Sequence, residues 1–360
     1  MYIWGVGNLA SYMFPEMFNY IKDVEGFIDK NPKKQGKIYY GYKADEDCVI
    51  DYKPLTDGEG YKIYAPSVLK KNDKITFCID PLVYRAFARG GFSNSKHIYD
   101  LLKELMIDKY KDSNNEEIKL TLKYWENNEL SMYNQYLKIE RYDEVKWDGE
   151  DPYIDFETIE GKIKRMYYPQ DYKFDEINGV KVVADILMEQ RPTSPHLYTK
   201  KDHDIDYGDV IIDCGVCEGN FALRYLGVAS KIYLFEIDKR WTKCLYKTFG
   251  ENAVLIEKGV SDESFGNLIK IDDVVQKADF LKMDIEGYEE KALKGAEKLL
   301  KNGIKCSICS YHRPTSELDI KNILSRFDYK VSTSKGYMLA LFDHEFYKNF
   351  DFRRGVVYND

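Results

Sequence analysis

The stretch Val210-Ile211-Ile212-Asp213-Cys214-Gly215-Val216-Cys217-Glu218-Gly219-Asn220-Phe221 decides the fold of the second half of this 360-residue chain. Its apolar β-branched start, its carboxylate and its two glycines four positions apart predict a strand, a tight loop and the start of a helix. Such a unit binds nucleotide-like ligands in α/β proteins. Gly215 and Gly219 let the backbone approach a ligand, and the free N–H groups at the helix start favour an anionic group such as a carboxylate.

The position of Asp213 separates this loop from dinucleotide-binding loops. In their G-x-G-x-x-G spacing nothing acidic faces the pyrophosphate, whereas the spacing here is D-x-G-x-x-x-G, and Asp213 would repel phosphate. A carboxylate suits the ammonium of a methionine group instead. The expected cofactor is therefore S-adenosylmethionine in preference to NAD.

The next strand ends in a second carboxylate. Residues 231–235 form an apolar strand that ends at Glu236, whose carboxylate can accept both hydroxyls of a ribose. Glu236 is therefore expected to bind the cofactor ribose. The alternative is that Gly215 and Gly219 only shape a turn and that Glu236 is a surface charge.

Polar residues also follow the third strand, predicted over 253–256. Its exit carries Lys258-Gly259-Val260-Ser261-Asp262, and in a sheet of this kind that exit lies beside the adenine. Asp262 is accordingly expected to accept the adenine amine, with helix capping by Ser261 or Asp262 as the alternative.

A fourth strand, from Ala278, carries three ionisable residues at its carboxyl end. Lys282, Asp284 and Glu286 alternate along one face, which predicts a site. The alternative is that the acids cap the following helix. A fifth strand over 305–310 delivers Tyr311-His312-Arg313 to the same edge.

The first 110 residues carry a weaker glycine pattern. Tyr2 to Ala10 predicts a strand, a G-x-G-x-x-A loop and a helix to about residue 20, followed by a strand that ends at Asp29. A further strand over 74–79 precedes a helix that Pro81 can start. These features predict a small Rossmann-like module, which either binds a nucleotide or nucleotide sugar or only packs on its neighbour.

Residues 111–170 are charged and aromatic. Their apolar residues fall at roughly helical spacing and predict a helical connector. Asn178-Gly179 then predicts a turn, and a helix is expected from about Lys181 to Arg191. The residues at helical spacing are Leu122, Trp125, Leu130, Tyr133 and Leu137.

Composition restricts the classes of function. A net charge of -8 gives no electrostatic reason to expect nucleic-acid binding. No segment approaches the roughly 18 apolar residues of a membrane span, and the N-terminus lacks a signal-peptide pattern, so a cytoplasmic protein is expected. The odd cysteine count, seven, favours reduced thiols. Two C-x-x-C pairs, Cys214/Cys217 and Cys306/Cys309, lie too far apart for a zinc ribbon, so the cysteines predict no metal site.

Taken together, the motifs resemble the FkbM family of S-adenosylmethionine-dependent methyltransferases over about residues 205–345. The most specific piece is K-x-D-x-E-G-x-E, from Lys282 to Glu289. The chain departs from the family pattern at Val216 and Cys217, where Ala and Asn are usual. The other matching pieces are Asp213-x-Gly215-x-x-x-Gly219, Phe235-Glu236, Gly259-Val260-Ser261-Asp262 and the strand that ends in His312.

The resemblance implies a fold and a domain order. The fold class is α/β, with a class I methyltransferase sheet of seven strands, the last antiparallel, in residues 171–360. The Rossmann-like module (1–110) and the helical connector (111–170) precede it. A fragment of about residues 170–360 is therefore expected to fold alone and to bind the cofactor.

The resemblance also implies transfer of a sulfonium methyl to a hydroxyl, often of a sugar or a polyketide. The first candidate for the base is His312 and the second is Asp284, with Glu286 beside them. A metal site at Asp284 and Glu286 is an alternative to the expected general base. Carboxylates paired with imidazole can hydrogen-bond several hydroxyls, so the expected acceptor is a sugar of a cell-surface glycan or its nucleotide-activated precursor. The alternatives are an NAD-dependent sugar oxidoreductase that uses Gly5 and Gly7, and a nucleotide-sugar binding protein without catalysis.

Overall fold

The computed structural model describes residues 1–14, 16–39, 60–79, 92, 94–130, 132 and 141–359. The chain forms two compact units. The first comprises residues 1–132 and 339–351, and the second comprises residues 133–338 and 352–360. Pro81, Tyr133 and Leu137, which the sequence assigns to helices, lie outside the described residues.

The strands of the described residues are β1 (Tyr2–Trp4), β2 (Gly26–Ile28), β3 (Ile38–Tyr39), β4 (Tyr61–Tyr64), β5 (Ile75–Phe77), β6 (Ser95–His97), β7 (Tyr142–Glu144), β8 (Lys146–Asp148), β9 (Asp151–Glu157), β10 (Ile163–Tyr167), β11 (Asp175–Ile177), β12 (Val180–Ala184), β13 (Val210–Cys214), β14 (Lys231–Phe235), β15 (Val254–Ile256), β16 (Gly259–Val260), β17 (Leu268–Ile269), β18 (Phe280–Met283), β19 (Lys305–Cys309), β20 (Val331–Thr333) and β21 (Val356–Asn359).

The α-helices are α1 (Asn8–Met13), α2 (Ile98–Tyr110), α3 (Glu116–Trp125), α4 (Asn220–Arg224), α5 (Lys239–Phe249), α6 (Glu289–Lys294), α7 (Glu297–Lys301), α8 (Ser316–Leu324) and α9 (His344–Asn349). Short 3-10 helices cover Glu16–Tyr20, Pro66–Val68, Met188–Gln190, Gly250–Asn252, Ile271–Asp273 and Ser325–Phe327. Among the described residues, no helix has the length and apolar character needed to cross a membrane.

The first unit contains a sheet in the order β3-β4-β2-β1-β5-β6. β4, β2, β1, β5 and β6 run parallel, and β3 pairs antiparallel with β4. Gly5, directly after β1, has φ +118°, and a Cβ on it would lie 2.2 Å from the backbone oxygen of Cys78. Because that neighbour is backbone, contact with β5 explains the glycine at position 5 without a ligand.

The second unit contains a seven-stranded sheet in the order β15-β14-β13-β18-β19-β21-β20. β15, β14, β13, β18 and β19 are parallel, whereas β21 is antiparallel to both β19 and β20. β20 therefore runs parallel to the other five strands, and the sheet has the seven strands with the last one antiparallel that the family resemblance implied. The chain leaves β13 toward β14 on one side and later returns to add β18 on the other. This reversal creates a crevice at the carboxyl ends of β13 and β18, where α/β sheets bind ligands.

The region predicted as a helical connector is mostly β structure, which corrects that prediction. Among the described residues of 111–170, only those of α3 form a helix, and β9 pairs antiparallel with β10 to form a hairpin. The predicted helix from Lys181 is also wrong, because β11 and β12 form a second hairpin there, with its turn at Asn178-Gly179 as expected. Along β9, Ile154 and Phe156 are buried between exposed or half-buried neighbours, an alternation that reveals a strand.

The β9–β10 hairpin belongs to the core of the methyltransferase-type sheet. Ile154, Phe156 and Met166 pack in one apolar cluster with Leu234 of β14 and Phe249 of α5. The predicted boundary at residue 171 therefore cuts through a core, and a fragment of residues 170–360 lacks part of it. A second apolar cluster joins the sheet to α6, α7 and α8. On β14, Ile232 and Leu234 belong to the first cluster and Phe235 to the second, so the two clusters cover opposite faces of the sheet.

Candidate active site

A cavity of about 730 Å³ opens at the carboxyl ends of β13, β14 and β18. One part of its wall is apolar and aromatic, and the other carries carboxylates, an imidazole and an ammonium. The apolar side chains come from β14, α5 and the β16–β17 region. The ionisable ones come from the segment before β13, from the glycine loop, from the residues after β14, and from β18 and the loop after it. The lining residues include Phe235, Ile237, Trp241, Val260 and Leu268 on the apolar side, and Glu189, His196, Glu218, Glu236, Asp238, Lys282, Asp284 and Glu286 on the polar side.

Gly215 and Gly219 both adopt the left-handed backbone that glycine tolerates, with φ +73° and +87°. A Cβ on Gly215 would lie 1.7 Å from the backbone oxygen of Asp284, and one on Gly219 would lie 2.8 Å from the Phe249 ring. Gly215 lines the cavity, whereas Gly219 caps α4 behind it. The need for both glycines thus arises from contacts within the protein, not from the approach of a ligand.

Asp213 has a different partner from the one that the sequence predicted. It is fully buried behind the cavity, and its Oδ1 lies 2.9 Å from the Nζ of Lys282, its neighbour on β18. Burial raises the pKa of Asp213 despite this ion pair. Lys282 also donates to the carbonyl of Gly215 at 2.7 Å. The Asp213–Lys282 pair therefore holds the glycine loop, and Asp213 is not available to a ligand ammonium in this structure.

Glu236 lines the cavity directly after β14, where the sequence places it. Its Oε2 accepts a hydrogen bond from the N–H of Cys217 at 3.0 Å, and its Oε1 accepts one from the N–H of Asp238 at 2.8 Å. Each carboxylate oxygen has two lone pairs, so both oxygens keep capacity for a hydroxyl. The two backbone contacts fix the direction in which Glu236 faces.

Asp262 lies outside the cavity wall. It follows β16, is half-buried and accepts a hydrogen bond from the Ser261 hydroxyl at 3.1 Å. The alternative prediction, helix capping, is also not realised, because the next regular element is the short strand β17. Gly259 and Val260 line the cavity from this region.

Asp284, the first residue after β18, is surrounded by four donors. Its Oδ2 accepts a hydrogen bond from the Tyr198 hydroxyl at 2.9 Å and lies 3.3 Å from Nε2 of His196. Its Oδ1 lies 3.2 Å from Nε2 of His312 and 3.4 Å from the Tyr311 hydroxyl. This cluster joins β18, the residues after β19 and the segment before β13. Asp284 thus lies at the centre of the group of polar side chains in the site.

Each histidine beside Asp284 has a second carboxylate on its other nitrogen. His196 Nδ1 lies 3.2 Å from Oε2 of Glu189, and His312 Nδ1 lies 3.0 Å from Oε1 of Glu289. Burial alone would lower the pKa of each imidazole, but the two flanking carboxylates outweigh it and raise the pKa of His196 to about 9 and that of His312 to about 10. Both rings are therefore cations at neutral pH.

The protonation of His312 corrects its predicted role. An imidazole that is already protonated cannot accept a proton from a hydroxyl. Burial would raise the pKa of Asp284, yet hydrogen bonds from His196 and His312 hold that pKa well below its usual range. Asp284 is therefore a firmly ionised carboxylate and a weak base.

Glu286 is the carboxylate of this cluster that is most open to the cavity, with 83% of its side chain exposed. Its backbone is left-handed, φ +57°, which is rare for a residue other than glycine and is often associated with functional sites. Its Oε2 lies 3.6 Å from Nε2 of His312. An open carboxylate that lines a cavity is suited to accept a proton.

Two groups of described residues bring enough ligand atoms together to be considered for a metal ion: Asp284/Glu289/His312 and His196/Asp284/Cys309. In the first, His312 faces Asp284 through Nε2 and Glu289 through Nδ1, which is the arrangement of an imidazolium between two carboxylates. In the second, the Tyr198 hydroxyl lies within hydrogen-bond distance of both His196 and Asp284. Both groups therefore consist of side chains that already lie within ion-pair or hydrogen-bond distance of one another.

Sequence reasoning missed five residues of the polar wall, of which Asp238 follows Glu236 closely in the chain. Glu189, His196 and Tyr198 precede β13 and reach the cavity only through the tertiary fold. Glu218 lies within the glycine loop, and burial together with the charge of Glu189 raises its pKa to about 7. The position of Glu218 between the two glycines of the loop could have identified it from the sequence. Nothing in the sequence around Glu189 and His196, apart from their residue types, indicates that they line the cavity.

The sheet order, its antiparallel strand β21 and the cavity at the reversal of strand order define a class I methyltransferase fold. Residues 213–331 match the family model described as the methyltransferase FkbM domain, so the chain carries an FkbM methyltransferase domain. This confirms the resemblance seen in the sequence. No curated protein matches the chain.

Similar solved structures include the methyltransferase FkbM from Methylobacillus flagellatus KT, at 14% identity over 100% of this chain and 89% of that chain, with a TM-score of 0.43. The fibrillarin pre-rRNA processing protein of Methanococcus jannaschii is 15% identical over 61% of this chain and 98% of its own, with a TM-score of 0.33. A Streptococcus mutans protein described as a methyltransferase was solved in complex with SAH. It is 15% identical over 43% of this chain and 90% of its own, with a TM-score of 0.32. Because these likenesses are distant, the domain model carries the identification.

Proposed function

We propose that this methyltransferase uses S-adenosylmethionine to methylate a hydroxyl of a sugar, most favourably in a neutral glycan. The observation that carries the proposal is the lining of the cavity, which combines apolar side chains from β14, α5 and the β16–β17 region with Glu236 and with the ionisable residues around Asp284. The apolar residues and Glu236 suit a nucleoside, and the residues around Asp284 suit a polyhydroxyl group. The bound cofactor would supply an electrophilic methyl group on a sulfonium.

The apolar side of the cavity suits an adenosine. Ile237, Trp241, Val260 and Leu268 offer the flat apolar surface that an adenine needs, and Glu236 offers its carboxylate to the ribose hydroxyls. Because Lys282 engages Asp213, we assign the methionine ammonium to the carboxylates of Glu218 and Glu189, which line the cavity. This assignment replaces the role that the sequence suggested for Asp213.

The charge of the cavity wall selects the acceptor. Six lining carboxylates outnumber the cations beside them, which are His196, His312, Arg240 and Lys282, and Lys282 is already paired with Asp213. A phosphate placed there would be repelled, whereas neutral hydroxyls can donate to the carboxylates. Of the two acceptor forms expected from the sequence, the glycan is therefore favoured over the nucleotide-activated sugar. The carboxylates are Glu189, Glu218, Glu236, Asp238, Asp284 and Glu286.

We assign proton removal to Glu286. As the acceptor oxygen forms its bond to the methyl carbon, the carbon–sulfur bond breaks, its electron pair stays on sulfur, and the hydroxyl proton passes to the carboxylate of Glu286. Asp284 orients the hydroxyl by accepting a hydrogen bond, and the cationic His312 beside both carboxylates keeps Asp284 ionised. Holding the reacting atoms in line supplies much of the acceleration.

The test is incubation of the protein with methyl-labelled S-adenosylmethionine and a panel of neutral glycans, nucleotide sugars, RNA and protein. Label in the neutral glycans supports the proposal. Label confined to RNA or protein contradicts it, and label confined to nucleotide sugars contradicts the charge argument while leaving O-methylation intact.

Glu236→Ala is expected to weaken binding of S-adenosylmethionine by about 1 to 3 kcal/mol, because the ribose hydroxyls would lose their acceptor in the pocket. Titration calorimetry measures this difference. Glu251→Ala, which removes an exposed carboxylate elsewhere, is the control and should bind as the wild type does. Equal affinities for Glu236→Ala and the wild type would rule out the ribose assignment.

Glu286→Gln is expected to slow methyl transfer on the order of 10²-fold with little change in cofactor affinity, because the amide cannot accept the proton. In the wild type the rate should rise with pH as Glu286 ionises, since only the ionised form is active. Glu290→Gln, on a residue paired with Arg313, is the matched control. A rate that rises only near pH 10 would instead identify His312 as the base.

A further inference from the structure

We propose that Glu189 and His196 form a second positioning arm of the reaction centre, equivalent to the arm formed by Glu289 and His312, and that the two arms together hold Asp284 as an oriented anion. The purpose of the arms rests on the proposed function, but their geometry does not. Neither Glu189 nor His196 lies in the residues that match the FkbM domain model.

The two arms form one continuous chain of five ionisable groups. It runs from Glu189 through His196 to Asp284 and on through His312 to Glu289, with separations of 3.2, 3.3, 3.2 and 3.0 Å. Each imidazole uses Nδ1 for its outer carboxylate and Nε2 for Asp284. Carboxylates and imidazoles thus alternate, and the charges alternate in sign.

The outer carboxylates are themselves held in place. Glu189 accepts a hydrogen bond from the side-chain amide of Asn220, the first residue of α4, at 3.3 Å. Glu289 accepts hydrogen bonds from the backbone N–H groups of Ile285 at 3.0 Å and Gly287 at 3.3 Å. One arm is therefore attached to the glycine loop and the other to the loop after β18.

Each imidazole has further neighbours besides its two carboxylates. His196 also faces the Cys309 thiol at 3.2 Å and the Tyr198 hydroxyl at 3.2 Å, and its ring meets the ring of Tyr311 edge-on. His312 also faces Glu286 and lies against Tyr311. Except for Glu286, whose side chain is mostly exposed, these groups are buried, so solvent screens the chain little.

Two arms accomplish what one cannot. The hydroxyls of Tyr198 and Tyr311 also contact Asp284, but they are neutral. The two imidazoles bring a positive charge to each oxygen, because Nε2 of His312 faces Oδ1 and Nε2 of His196 faces Oδ2. Asp284 is then fixed in direction and charge before an acceptor arrives, and such preorganisation is how polar sites favour a transition state. Glu189 and Glu289 act through the histidines, so they are positioning residues.

The experiment is a pH titration of the histidine rings by NMR on the full-length protein with labelled histidine. The chain has five histidines, and His97, His203 and His344 serve as internal references. In the wild type, His196 and His312 should titrate near pH 9 and 10. In Glu189→Gln the pKa of His196 should fall by at least one unit, and that of His312 should also move, because both rings share Asp284.

In Glu289→Gln the pKa of His312 should fall and that of His196 should also move. Glu290→Gln, next to it on α6, should leave both pKa values unchanged. Rings that titrate near pH 6.5 in the wild type would overturn the proposal, even if the variants fail to fold. The proposal would also fail if Glu189→Gln left the pKa of His312 unchanged. It would fail as well if the protein held a stoichiometric metal ion whose removal by a chelator brought the pKa of both rings to about 6.5. None of these measurements requires an acceptor, so failure of the glycan panel would leave this test unaffected.

Discussion

Gly215→Ala is expected to abolish binding of S-adenosylmethionine and to destabilise the second unit by about 3 kcal/mol or more. The new Cβ would lie 1.7 Å from the backbone oxygen of Asp284, so either the glycine loop or the end of β18 must move. Both movements separate groups of the site, because Lys282 bonds the carbonyl of Gly215 and Asp284 is the centre of the five-group chain.

Calorimetry with S-adenosylmethionine and thermal denaturation would measure the two effects of Gly215→Ala. Gly266→Ala is the matched control, because Gly266 also has positive φ, +57°, but a Cβ there meets nothing within 4 Å. Its cost should be only the strain of a left-handed alanine, roughly 1 to 2 kcal/mol, with binding retained. A Gly215→Ala protein that binds as the wild type does would show that the loop and β18 can separate without loss of the site.

Ile154→Ala is expected to lower the free energy of unfolding by about 2 to 5 kcal/mol. Ile154 is fully buried, and it packs in the cluster that also holds Leu234 of β14 and Phe249 of α5. Its loss would leave a cavity between the β9–β10 hairpin and the sheet. The same packing explains why a fragment of about residues 170–360 should be much less stable than the sequence suggested.

Ile163→Ala is the control for this prediction. Ile163 lies on β10 of the same hairpin, but 60% of it is exposed, so its removal should cost no more than about 0.5 kcal/mol. Denaturant unfolding followed by circular dichroism would compare the two variants. Similar midpoints would mean that the hairpin is an appendage, and the boundary predicted at residue 171 would then be correct.

Local pattern was sufficient to place the strands of the second sheet. Residues 231–235 were predicted as a strand without error, and the strands ending near Cys214, Ile256, Met283 and Cys309 were found to within a few residues. Each is a short apolar run that ends in glycine or a polar residue, and such runs carry their own signal. The positions of Glu236, Asp284 and Glu286 at the cavity follow directly, because parallel strands bring their carboxyl ends to one edge.

Local pattern misled where the residues were short of apolar content. The hairpins between Tyr142 and Ala184 contain many charges and tyrosines. The residues at helical spacing that suggested a connector lie before them, and of these Leu122 and Trp125 do belong to α3. The strands of the hairpins exist because Ile154 and Phe156 find partners on β14 and α5, far along the chain. Tertiary packing overrides weak local preference in such segments.

The amino-acid sequence by itself determined the methyltransferase sheet, the glycine loop and the carboxylates at the strand ends, because each depends on residues that are neighbours in the chain. Only the tertiary structure decided which charged side chains contact one another. It paired Asp213 with Lys282 and placed His196 between Glu189 and Asp284. It also placed His312 between Asp284 and Glu289, which keeps the imidazole protonated. The physical reason is that the protonation and role of an ionisable group depend on its burial and on charges within a few ångströms, and these distances arise only when distant segments fold together.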